Sequence, residues 1–394
     1  MEHHEIKEDL GRWQRIAWVA GAIGAVGTGA GYVLAPEHFF PSYLMAFFYW
    51  FCLAGGSLGL LLIHHLVAGH WGFVIQRPLE AAARTIPFTA VLFLPVILGI
   101  DKLYAGWIHP TPETAHVVHT KAMYLNVPGF IGRAAVYFVL WTVLAYLLSK
   151  WSRLQDSGQD AARQNEKMRT LAGPGLVLFI LSITFAAIDW GMSLTPTWFS
   201  TMYGPQFMVG QFLSTFAFMA ILASRMEHRK PFQHALGHQQ FHDLGNLMFA
   251  STILWSYMCI GEYIIIWSGN LYEETEWFLH RSHGGWKPVS YALTLGQFLL
   301  PFLLLLNKPL KRHGRLLALI AVWILAFRYL SIFWQVAPTF RDHPQVHWVD
   351  AATWLGVGGI WVGLFLGQLK RMQLLPEGDP RLQAKLAVHA AGHP

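Results

Sequence analysis

The chain has only two cysteines in 394 residues, Cys52 and Cys259. Two isolated cysteines cannot build an iron–sulfur cluster or a zinc site alone. Both lie in apolar stretches and read as small buried residues. Charge is also scarce, at 13% of residues. No segment is polar enough and long enough to fold as a separate soluble domain. No Gly-rich nucleotide loop, nucleophile elbow or paired-metal motif is present. Ser57, inside Gly55-Gly56-Ser57-Leu58-Gly59, has no accompanying base and reads as small-residue helix packing. Haem held by two histidines needs facing rings from two helices, and only one apolar stretch carries histidine well inside it.

Long apolar runs fill the chain instead. About 20 apolar residues cross a hydrocarbon core of about 30 Å as a helix. Ten such crossings are expected, near residues 16–35, 43–68, 86–104, 131–150, 171–190, 206–224, 243–268, 289–306, 316–335 and 351–369. The basic residues set the orientation. With the N-terminus inside, only Lys102, Lys121, Arg133, Arg281, Lys287, Arg328 and Arg341 fall outside, leaving 21 of the 28 on the inner side. The positive-inside rule therefore places both termini in the cytoplasm, and adding or losing one crossing destroys the bias. The 18 Trp suit interfacial belts. The net charge of +6 sits in the inner loops, where it touches anionic lipid, and is not a nucleic-acid footprint. The polar start, with Glu2, Glu5, Glu8 and Asp9, carries no sign of a cleavable signal peptide.

Connections differ in character. The longest inner loop, 151–170, is polar, with helix-favouring composition around 161–168. The outer connections 105–130, 191–205 and 270–288 are aromatic or long, and are expected to fold back on the bundle or meet a partner. The second and sixth crossings echo each other weakly. Two related four-helix bundles account for this, and so does the topology that any two such helices share.

Ionisable groups at membrane depth carry the functional reading. A charge at the centre of a membrane helix costs about 2.5–3.5 kcal/mol on insertion scales. Asp101, Arg133, Asp189, Glu262 and Arg328 come from five crossings at similar outer depth. Packed together, they form a polar pocket; Asp101, Arg133 and Asp189 are candidates to hold a quinone. On the inner side stand His64, His65, Glu80, Arg84, His242, Asp243 and Asn246. Neighbouring residues point about 100° apart on a helix, so His64 and His65 cannot both face one metal. The expectation is two polar half-paths for protons, using His64, His65, Asp189, Glu262 and Arg328.

Three segments carry a family resemblance. The first runs from Ser57 through His64 and His65 to Leu66, then Gly69-His70-Trp71-Gly72 and Arg77-Pro78-Leu79-Glu80. The second is Tyr124-Leu125-Asn126-Val127-Pro128-Gly129-Phe130, with Lys121 before it and Arg133, Tyr137 and Trp141 after it. The third and most specific is Asp189-Trp190-Gly191-Met192-Ser193-Leu194-Thr195-Pro196-Thr197-Trp198-Phe199-Ser200. In order and spacing they resemble the smaller of the two large membrane subunits of alternative complex III, the bacterial quinol:cytochrome c oxidoreductase, within the polysulfide-reductase membrane-subunit (NrfD-like) superfamily. The specific motifs cover roughly 43–204. Gly129 departs by standing where a bulky aromatic is usual. Thr195 and Thr197 stand where acidic residues and His are commoner.

The resemblance implies an all-α polytopic fold of two four-helix bundles plus two extra helices, in the bacterial cytoplasmic membrane. It implies no intrinsic redox centre. Quinol or menaquinol is then oxidised on the outer side, and electrons pass to an iron–sulfur partner and on to haem c subunits. A larger paralogous membrane subunit holds the main quinol site, and small membrane subunits complete the assembly. This chain supports assembly and proton movement. The rival expectation is a stand-alone secondary transporter, which binds at the midplane between broken helices. Here the Gly-rich interruptions sit in the first and last crossings instead.

Overall fold

In lipid, backbone N–H and C=O groups find partners only within the protein, so a spanning segment folds as a helix. The computed structural model of the chain describes residues 2–158, 160–229, 232–234, 236–283, 285–376, 378–379 and 382. Among the described residues there is no strand. Ten helical spans are long and apolar enough to cross a membrane: Ile6–Leu34, Pro36–Val67, Trp71–Leu98, Val127–Asp156, Ala161–Leu194, Tyr203–Met226, His238–Gly269, Trp286–Leu306, Gly314–Thr339 and Trp348–Lys370. Each overlaps one expected crossing. The chain is an all-α, multi-pass membrane protein. The side on which the first span begins is the basic face; the other is the outer face.

The second span is the hub. It is buried along most of its length, from Phe39 to His65. The second to fifth spans pack around one another as one four-helix bundle, and the sixth to ninth as another. The second span joins the two by packing on the sixth and ninth. The first and tenth spans pair with each other and lean on the second.

That outer pair depends on glycine. A Cβ on Gly24 would lie 2.2 Å from the backbone nitrogen of Gly356, and one on Gly21 would lie 2.9 Å from the carbonyl carbon of Gly359. Backbones this close are the small-residue packing of membrane helices. Gly24→Ile is expected to push the two helices apart and cost about 1–3 kcal/mol, the range for overpacking. A lowered thermal midpoint in mild detergent checks it; an unchanged midpoint rules out so close a contact.

Two connections are more helical than loops. In the inner segment 151–170 the helix-favouring composition around 161–168 is borne out, since the fifth span begins at Ala161, while the fourth span runs on to Asp156 and leaves only a short turn between them. Polar composition lowers hydropathy without opposing helix, so the two helices extend past the apolar zone as a hairpin. Asp160 caps the second of them, accepting from the Arg163 amide at 3.4 Å. The stretch before the expected third crossing is a helix too, His70–Ala83, with residues 72–83 all buried. Beyond Arg84 the span proceeds in short pieces, Ile86–Leu92, Leu94–Leu98 and Ile100–Leu103. Pro87 and Pro95 each lack the amide proton that a continuous helix uses.

Candidate functional sites

Bundle one holds a closed ion pair near its outer end. Asp189, in the last turn of the fifth span, has no exposure. Arg133 on the fourth span grips it with Nε at 2.9 Å from Oδ2 and Nη2 at 2.8 Å from Oδ1. The Tyr137 hydroxyl donates to Oδ2 at 2.9 Å. The Tyr124 ring lies 3.9 Å from the Arg133 guanidinium. Burial, then the charge on Asp189, pushes the Tyr124 hydroxyl pKa up, so it stays protonated. A bidentate, stacked pair of this kind holds its members in one orientation. The glycine at 129 now has a reason: a Cβ there would lie 2.9 Å from Arg133 Nη1. A bulky side chain would displace the guanidinium.

Asp101 is not part of this arrangement. Its carboxylate is exposed and meets His109 Nε2 at 2.7 Å on the surface. The expected pocket of Asp101, Arg133 and Asp189 is therefore corrected to the Arg133–Asp189 pair with Tyr137 and Tyr124. Position at a helix end gave the depth of Asp101, but not the direction in which it points.

Bundle two is open where bundle one is closed. A cavity of about 670 Å³ lies among the sixth to ninth spans and the connection after the seventh. Its apolar walls include Trp255, Tyr263, Trp277, Phe278 and Trp334; its polar groups include Gln206, Ser256, Glu262, Lys287 and Ser290. Glu262 is 5% exposed, and its Oε1 has no hydrogen-bond partner among the described residues. A buried carboxylate oxygen without a donor is costly, and a ligand hydroxyl or a water entering the cavity would relieve it. Thr294 and Phe298 on the wall belong to a π-helical turn, Thr294–Leu299. Such turns are frequent at functional sites. Trp323 Nε1 reaches its Gly296 carbonyl at 2.8 Å.

No protein-family model and no curated protein matches this chain.

Arg328 is fully enclosed beside the cavity, with no carboxylate paired to it among the described residues. Its Nη1 donates to Ser331, a wall residue, at 3.4 Å, and its guanidinium lies 5.4 Å from the Trp255 ring. Gly210 makes room for it, since a Cβ there would lie 2.3 Å from Nη2. Asp189 and Glu262 thus occupy different bundles, and no hydrogen bond joins them. The connection 191–205 runs between them. Ser193 donates to the Asp189 carbonyl, Ser200 faces Glu262, and Trp198 stacks on Trp277 at 4.5 Å.

The sequence reading missed Arg281. It is 3% exposed, lies 3.5 Å over the other side of Trp277, and donates to the carbonyls of Trp277, Trp334 and Gln335. Burial pushes its pKa down to about 9, so it remains charged at neutral pH. Nothing local in a loop sequence marks a residue that braces a wall formed by other segments. On the same face Lys121 donates to the Pro196 carbonyl at 2.7 Å, and burial lowers its pKa.

At the basic face His64 and His65 are buried. The His64 ring meets Phe73 at 5.2 Å and Trp71 at 5.8 Å, with Gly72 directly against it. Nearby in the same bundle, Arg77 pairs with Glu80 at 2.8 Å and with Asp156. Ser152 donates to Glu80 at 2.6 Å and accepts from Arg77 at 2.7 Å. Past the tenth span the chain returns to cover this network, with Gly378 against the backbone of Gln155 and Asp156. Bundle two has a smaller counterpart, in which Lys311 donates to Asn246 at 2.7 Å beside His242. Among the described residues no group of three or more His, Cys, Asp or Glu is placed to hold a metal ion.

Proposed function

We propose that this chain is a membrane subunit, without a redox centre of its own, of a quinol:electron-acceptor oxidoreductase of the alternative complex III type. It sits in the bacterial cytoplasmic membrane with both termini inside. It supports quinol oxidation on the outer side and the assembly of the complex. Iron–sulfur and haem c partners carry the electrons, beside a larger related membrane subunit.

One observation supports this reading most: the cavity in bundle two, with Glu262 presenting an oxygen that lacks a donor. A quinol head is a flat ring with two hydroxyls. Aromatic walls accept such a ring, and the Glu262 oxygen that lacks a donor accepts a hydroxyl proton. Arg328 and Ser331 at the wall add a fixed positive field. The closed Arg133–Asp189 pair holds the outer ends of the fourth and fifth spans together. The polar groups at the basic face suit proton movement to or from the other side.

The experiment is purification of the native assembly in mild detergent. Haem c absorbance and quinol-dependent reduction of an acceptor are expected to co-purify with this chain. This reading places quinol chemistry in this chain and not solely in the larger paralogue, so Glu262→Gln in that assembly is expected to lower quinol turnover about 100-fold, the lower end for loss of a general base. Unchanged turnover would remove Glu262 from the reaction. A colourless, monodisperse and fully active single protein would favour the transporter instead.

A further inference from the structure

The cavity in bundle two has buried walls and exposed walls, and the exposed ones mark its opening. Ile260 and Tyr263 on the seventh span, and Tyr291 and Thr294 on the eighth, line the cavity and are all exposed. The gap they frame lies between those two spans. At the inner end the spans pack closely. Leu300–Leu306 and Lys308–Arg312 lie against the seventh span, and Phe249 meets Phe302 at 5.4 Å. The outer part of the eighth span, Trp286–Leu293, packs on the ninth instead. There Trp286 meets Phe333 at 5.5 Å, and Trp334 Nε1 donates to Ser290 at 2.9 Å. The π-helical turn Thr294–Leu299 separates the two parts.

The gap opens at lipid depth. Ile260 precedes the outer end of its helix, Gly269, by about 14 Å at 1.5 Å per residue. That is within the outer half of a hydrocarbon core of about 30 Å. His283 and Lys287, both exposed, stand at the outer rim of the cavity, where lipid headgroups lie. The aqueous side carries a cover, the helix Tyr272–His280. Its Trp277 is held between Trp198 and Arg281, and Arg281 is tied to carbonyls of the ninth span. Inside, Glu262 Oε1 lacks a donor and Trp255 Nε1 lacks an acceptor among the described residues. They stand two turns apart on one face of the seventh span. A hydroxyl can satisfy either. A hydroxylated head within, and an apolar gap leading from it into lipid, fit an amphiphile with a long tail.

We propose that the cavity is entered sideways from the outer leaflet, between the seventh and eighth spans, by a quinol whose isoprenoid tail stays in that gap. The proposal rests on the quinol reading of the cavity and adds the route and the tail to it.

The test uses the full chain in nanodiscs, with empty nanodiscs to subtract partition into lipid. The probes are menaquinol with four isoprene units and menadiol, the same ring without a tail. The tailed quinol is expected to be retained in preference. Ile260→Trp and Thr294→Trp, one on each side of the gap, are each expected to weaken its retention about tenfold, within the cost of overpacking, and to leave menadiol unchanged. Both positions are exposed, so either variant that folds carries the test. Glu262→Gln is expected to weaken both probes, because they share the ring. Equal retention of the two probes, or tailed-quinol retention indifferent to the tryptophans, would overturn the side entry while binding that depends on Glu262 keeps the quinol reading. Retention of neither probe above empty nanodiscs would overturn both.

Discussion

Arg133→Ala is expected to destabilise the protein by about 3–5 kcal/mol, the cost of leaving one member of a buried pair alone. Asp189 is fully enclosed, and Arg133 supplies three of its bonds, Nε reaching both carboxylate oxygens and Nη2 one. Without the guanidinium, the carboxylate keeps, among the described residues, the Tyr137 hydroxyl as its side-chain donor. Water cannot readily compensate, because the ring systems of Trp190, Phe138 and Trp141 pack just beneath. Arg133 itself retains 24% side-chain exposure, which argues for the lower end of that range. The readout is the thermal midpoint in mild detergent. Replacing both partners, as Arg133→Leu with Asp189→Leu, should restore most of the loss, since no charge is then buried. A midpoint unmoved in Arg133→Ala would mean that the pair holds nothing together.

Arg77→Leu should have a comparable effect at the opposite face. Arg77 is buried and bonds two acids, Glu80 and Asp156, which come from different helices. Its loss leaves both carboxylates close together, with Gln76 and Ser152 as the remaining donors to Glu80. Desolvation and repulsion then act in the same direction, again about 3–5 kcal/mol. Arg77→Lys keeps the charge but not the fork, and should fall between wild type and Arg77→Leu. If the lysine and leucine variants unfold at the same midpoint, the charge is not what matters.

Much of this architecture was readable because lipid is an exacting solvent. A span must be apolar, helical and about 20 residues long, so hydropathy and basic-residue bias find all ten. The parts that were missed fall outside that constraint. The helix His70–Ala83 carries Gln76, Arg77 and Glu80, which lower its hydropathy, yet it is buried because Ser152 and Asp156 satisfy those groups. The inner hairpin is helical without being apolar; composition marked its second arm at 161–168, but not the run of the fourth span on to Asp156. For the sites, depth was readable and direction was not. Asp189, Glu262 and Arg328 are buried as charges at that depth must be. Asp101 is at similar depth and faces out. Arg281 was invisible, since its partners are carbonyls and rings from the seventh-to-eighth connection and the ninth span.

Composition and the order of apolar and basic segments alone determined the class, the number of crossings and the residues too expensive to keep idle. Those properties depend on transfer between water and lipid, which each segment experiences by itself. Only the tertiary structure decided that Asp189 is locked by Arg133 while Glu262 faces a cavity, and that Arg328 has no acid paired to it among the described residues. Rotation about a helix axis is set by packing against neighbours, and a few tens of degrees separate a closed ion pair from an open wall.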